Sequence, residues 1–204
     1  MILLSAKDLC CRSAMQLKFF LEHPDKKPSI TQNQIQGVNH QYNIAKQIPN
    51  LIGEEMGNFV DFSDYRIYFT NDVITKDSII EIKNIDKKRE IEDWYFKSCI
   101  MQCAIYATLS KYTNYQFSTA KFFVNLGNEL KTFQYPYLNK DMQYLLYFGD
   151  ERYKIQISNY NKIFEWIKLK VLSLSDWNSA KEFDNIYKRK EFDYLYHFFK
   201  IQRI

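Results

Sequence analysis

The chain has 204 residues, 46% of them apolar and 25% charged, with 16 Tyr, 16 Phe, 5 Gly and 4 Pro. These proportions suit one compact globular domain and exclude collagenous, low-complexity and largely disordered chains. Lys plus Arg exceed Asp plus Glu by 28 to 24, and the net charge of +4 permits a polyanionic partner without requiring one.

The opening Met1-Ile2-Leu3-Leu4-Ser5-Ala6-Lys7-Asp8 meets charge too early for a signal peptide, and no apolar run approaches a membrane span. A cytoplasmic protein without a membrane partner is expected. Residues 5–22 read as a short helix with Ser5 as N-cap, stopped by His23-Pro24. A polar loop from Asp25 to Ser29 leads to a second helix over about 31–47, which carries His40 and ends before Pro49. From Gly57 onward, aromatic and β-branched residues take over. Strands are expected at 58–62 and 65–70, the latter continuing through Asp72-Val73-Ile74 to a polar turn, Thr75-Lys76-Asp77-Ser78. Ile79 to Lys83 forms the third strand of this meander.

A helix follows over 90–111, its wide apolar stripe running through Ile91, Trp94, Tyr95, Cys99, Met101, Ile105, Tyr106 and Leu109. Strands at 117–126 and 131–137, joined by Gly127-Asn128, precede a last third that reads as mostly helical. The order predicts an α/β domain: a central mixed sheet built by residues 57–137, flanked by helical segments 1–56 and 138–204. Cys10, Cys11, Cys99 and Cys103 form no C-x-x-C pair, which speaks against a zinc site and for buried free thiols.

Acid-x-Lys occurs four times, against roughly two or three by chance. Only Glu81-Ile82-Lys83 lies in an apolar β-run, where period-two alternation aims both charged side chains at one face of the sheet. Ile79, Ile80 and Ile82 mark that strand as central. A carboxylate and an ammonium buried together are costly unless they serve each other or a bound ion. For the tripeptide by itself, a solvent-facing salt bridge on an edge strand is the commoner outcome. Asp72, nine residues earlier across the turn, falls nearly opposite Glu81. Two carboxylates so placed repel unless a proton or cation lies between them, and a divalent cation with oxygen ligands answers that need. Lys83 beside them can orient or deprotonate a water, or stabilise developing charge.

The order Gly37-Val38-Asn39-His40, Asp72, Glu81-Ile82-Lys83 and Gln102-Cys103-Ala104-Ile105-Tyr106 resembles the PD-(D/E)xK nuclease superfamily, specifically its RecB/Cas4-like exonuclease branch. The likeness runs from about residue 5 to 126, and Ser5-Ala6-Lys7-Asp8-Leu9 is similar to the branch's N-terminal helix. Separately, His40 reads as a surface or capping histidine, Gln102 as a partner for a buried backbone group and Tyr106 as core; the joint pattern carries the resemblance. It implies a restriction-endonuclease-like core in which His40, Asp72, Glu81 and the Ile82 carbonyl hold Mg²⁺ or Mn²⁺. Lys83 would position or activate water, while Gln102 and Tyr106 support the site or contact the DNA backbone.

Thr70-Asn71 stand where the family usually has a small residue or glycine before the Asp. Many Cas4-like relatives hold an iron–sulfur cluster; here Phe192, Leu195 and Ile201 occupy the corresponding tail positions, so no cluster is predicted and packing would tie the chain ends. Lys87-Lys88-Arg89 suit a DNA path, with lesser basic runs at Lys26-Lys27 and Lys188-Arg189-Lys190. The implied activity is metal-dependent DNA hydrolysis, as an exonuclease in recombination, phage replication or CRISPR-linked processing. Its expected partners are single-stranded or end-containing duplex DNA, with a homo-oligomer or a recombination or CRISPR protein as further candidates. The rivals are a restriction-type endonuclease and a catalytically idle nuclease fold that binds nucleic acid or protein.

Overall fold

The computed structural model describes residues 1–29, 32–84, 93–112, 120–122, 131–133, 142–187 and 191–204. The N-terminal elements are β1 (Ile2–Ser5), α1 (Ala6–Cys11), α2 (Ala14–Glu22), a 3₁₀ turn (Pro24–Lys26) and α3 (Gln32–Ala45). Then come β2 (Leu51–Phe62), β3 (Tyr65–Thr75), β4 (Ser78–Lys83), α4 (Asp93–Tyr112), β5 (Ala120–Phe122) and β6 (Lys131–Phe133). The chain continues with β7 (Gln143–Phe148), β8 (Glu151–Ile157), α5 (Tyr160–Ser173), α6 (Trp177–Tyr187), α7 (Glu191–Tyr196) and β9 (Phe199–Arg203).

Seven strands form one mixed sheet in the order β1-β3-β4-β7-β8-β9, with β2 also paired to β3. β1 runs parallel to β3 and β4 parallel to β7; the other pairs are antiparallel. The fold is thus the expected α/β arrangement of a mixed sheet flanked by helices. β5 and β6 form a separate two-stranded ladder within the two strands expected at 117–126 and 131–137; the rest of those spans lies outside the described residues.

The sequence reading needs correction at both ends of the chain. Residues 5–22 make two helices, because Ser13 opens a new one: its hydroxyl accepts from Gln16 N–H while the Gln16 side chain accepts from Ser13 N–H. Ser5 precedes α1 without a side-chain cap bond and belongs to β1. The last third, expected as mostly helical, supplies β7, β8 and β9 to the main sheet. Short apolar runs do not separate strand from buried helix by periodicity. The deciding local signal is Gly149-Asp150 between β7 and β8, where Gly149 takes φ 61° and lets the chain turn tightly.

α4 and α3 pack against opposite faces of β4. Ile79 belongs to the main core, with α4 residues Ile100, Cys103 and Ile105. Ile80 and Ile82 join Val73 and Ala45 of α3 in a smaller cluster. β3 contributes to both clusters: Ile67 and Phe69 to the main core and Val73 to the smaller one, with burial alternating from Ile67 to Val73. Thr70-Asn71-Asp72 lie between these positions, where the pairing with β2 keeps its register. Asn71 is fully buried there, and neither end of its amide has a hydrogen-bond partner among the described residues.

The C-terminal helices are tied to the N-terminal ones by polar contacts as well as packing. Asp184 of α6 accepts from the Ala14 and Met15 amides, at 2.7 and 3.0 Å, at the start of α2. Lys170 of α5, 0% exposed, donates to the Leu9 carbonyl at 2.8 Å and to Glu191 at 3.0 Å, with its ammonium 4.9 Å from the Trp166 ring centre. Leu195 is buried, and Phe192 and Ile201 pack on the same core. Among the described residues no helix is long and apolar enough to cross a membrane.

Candidate active site

β4 lies inside the sheet, between β3 and β7. Its isoleucines anchor it on both faces, and this fixes where the interleaved charged residues point. Val73 pairs with Ile80 and Ile74 with Ile79, so the same register carries Asp72 opposite Glu81. Glu81 is 5% exposed. Its Oε1 accepts from the Lys83 ammonium on the same strand and from the Gln102 amide of α4, the latter at 2.6 Å. Asp72 Oδ2 accepts from the Ile82 N–H at 2.7 Å, so this carboxylate bonds the β4 backbone just beyond the last paired residues. Asp72, Glu81 and Lys83 thus converge as the strand spacing predicts, Gln102 joins them from α4, and Ile82 contributes its amide to the arrangement.

Burial works against the charge on Lys83, but Glu81 and Asp72 outweigh it and hold the ammonium well above its ordinary value. Tyr106 is buried, its ring 5.6 Å from that of Phe69; burial and the Glu81 charge both push its hydroxyl up. Burial also pushes up Cys10 and Cys103, and pushes Cys99 to about 11, so these thiols stay protonated at neutral pH. Cys11 departs from the expected burial: it is exposed, with its sulfur 3.4 Å from the Ser98 hydroxyl.

His40 is not brought to this cluster as a third ligand. It lies on α3, the helix packed against the other face of β4, and among the described residues no three His, Cys, Asp or Glu side chains are grouped to hold a metal ion. Lys87, Lys88 and Arg89 lie outside the described residues, as do Lys188, Arg189 and Lys190. Lys26 and Lys27 are engaged with Asp25 and Asp8.

The wide apolar stripe expected on this helix carries a second feature. Trp94 is 65% exposed at the start of α4, and Tyr95 beside it follows the stripe toward Cys99 and Lys83. The recurrence of Tyr95, Cys99, Gln102 and Tyr106 at intervals of four, three and four residues is the signal that marks them as one face. Comparison with protein-family models, curated proteins and solved structures returns no match.

Proposed function

We propose that the chain is a metal-dependent deoxyribonuclease of the PD-(D/E)xK superfamily, RecB/Cas4-like in type, acting in the cytoplasm on DNA ends. The observation that carries this reading is the convergence of buried Glu81 with half-buried Lys83 and Asp72 inside the sheet, with Gln102 bonded to Glu81. Two carboxylates against one ammonium leave a formal excess of one negative charge. Hard oxygen donors in that balance suit Mg²⁺ or Mn²⁺, and Asp72 and Glu81 would hold the ion. His40 of α3 and the Ile82 carbonyl are the further ligands that the resemblance implies. A divalent ion supplies Lewis-acid charge that stabilises the extra negative charge of a phosphoryl transition state.

The protein's own groups do the positioning. Lys83, kept as an ammonium by its acidic neighbours, offers positive charge and donors to a scissile phosphate or an attacking water. A role as proton acceptor would oppose that electrostatic bias. Gln102 fixes the direction of the Glu81 carboxylate. Tyr106, buried under Phe69, supports this floor of the site.

The alternative is an idle nuclease fold that only binds nucleic acid, and one observation favours it: Glu81 Oε1 is already engaged by two donors. End-labelled single- and double-stranded DNA incubated with Mg²⁺, Mn²⁺ or chelator separates the two. Shortening of the labelled strand is expected with metal and not with chelator. Lys83→Ala and Asp72→Asn should each slow it by at least about a hundredfold while DNA binding persists. Wild-type protein that binds DNA but leaves it whole in Mn²⁺ selects the idle fold.

A further inference from the structure

Tyr95, Cys99, Gln102 and Tyr106 share the face of α4 that meets β4, and they run along it in a definite direction. Gln102 lies against Glu81. Tyr95, about two turns nearer the helix start, lies at the Lys83 end: its ring centre is 6.0 Å from that of Phe148, the β7 residue paired in register with Lys83. Burial and the Cys99 thiol push the Tyr95 hydroxyl up, and the Lys83 charge partly offsets them.

Trp94 meets Tyr95 edge-on, with ring centres 5.9 Å apart at 75°. Its own indole is mostly in water, although burying so large an apolar ring is favourable. Asp93 next to it carries little net repulsion for an anion, since its carboxylate is paired with Lys97 at 2.6 Å. One end of the site therefore presents an exposed indole, a supporting phenol and a nearby ammonium. That combination matches a nucleotide, whose planar base stacks on an aromatic ring while its phosphate seeks positive charge.

We propose that Trp94, backed by Tyr95, is a stacking platform for an unpaired base of a DNA strand whose phosphate lies toward Lys83. The inference rests on the nuclease reading and narrows its substrate, because bases inside a duplex already cover each other's faces. DNA would enter as a single strand or a frayed end.

The test is the affinity of wild type, Trp94→Ala and Trp94→Phe for three fluorescent probes in chelator and in Ca²⁺: an oligothymidylate strand, an abasic strand of equal charge, and a blunt duplex. Trp94→Ala should weaken oligothymidylate binding by about tenfold, and Trp94→Phe should retain most of it. On the abasic strand and the duplex, all three proteins should bind alike. Equal oligothymidylate affinity for wild type and Trp94→Ala overturns the platform, as does an equal loss on the abasic strand. Strand binding that depends on Trp94 without cleavage in Mg²⁺ or Mn²⁺ leaves the platform standing and removes the hydrolytic reading. Cleavage with an inert Trp94 does the reverse, and no binding of any probe removes both.

Discussion

Lys83 and Glu81 are each other's closest compensation for burial, and this makes them strongly coupled. Removing one partner of a buried pair leaves the other charge stranded. Lys83→Ala should lower the unfolding free energy by about 3 kcal/mol, read as a shift in the urea midpoint. Lys83→Ala/Glu81→Ala should cost less than the sum of the single changes; simple additivity would mean that they do not act as a pair. The pH dependence follows from the direction of the shift. Because Lys83 is raised in the folded protein, its stabilisation is complete below its ordinary value of 10.5 and fades as the pH climbs through the elevated one. The gap between wild type and Lys83→Ala should therefore narrow only in strongly alkaline buffer. Asn71, one residue before Asp72, presents the opposite case of a buried amide without a partner among the described residues. Asn71→Leu keeps the branched shape and removes two unsatisfied polar atoms, so a gain of about 1–2 kcal/mol is expected. A loss would show that the amide has a partner in the folded protein in solution.

Among the elements, α2 depends on a residue distant in sequence. Ser13 and Gln16 close its first turn locally, but the Ala14 and Met15 amides are satisfied by Asp184 of α6. Asp184→Ala leaves both donors orphaned and should cost about 1–2 kcal/mol, measured by chemical denaturation. Ser13→Ala should cost about 1 kcal/mol, and the two effects should not simply add, since both caps serve the same helix start. α4 is the other decisive element. It is buried along most of its length, yet its first turn emerges with Trp94 exposed, which is why one helix both closes the core and borders the site.

For the whole molecule, the question is what joins the chain ends across the sheet. Lys170 does so at one point, bonding the Leu9 carbonyl of α1 and the Glu191 carboxylate of α7 from a fully buried position. Lys170→Met should destabilise the protein by about 3–4 kcal/mol, because Glu191 and the carbonyl lose their donor. Lys170→Met/Glu191→Leu should recover much of that loss, since a packed apolar pair avoids the desolvation of two charges. Equal stability of Lys170→Met and wild type, by guanidinium midpoint, would show that packing alone holds the ends.

The sequence by itself determined the local and periodic features. The β2–β4 meander, the turn at Thr75–Ser78, the centrality of β4 and the facing positions of Asp72 and Glu81 all follow from alternation and turn chemistry. Gln102 is expected at the site only through the family resemblance, and the structure shows it bonded to Glu81. Tertiary structure decided the rest. β7 reads ambiguously until it lies parallel to β4, and β1 is too short to declare itself without β3 beside it. The division of β3 between two clusters and the exposure of Trp94 depend on which face of the sheet each helix covers. That choice is made by non-local packing, where burial of one face against a distant partner outweighs the weak preferences of a short segment.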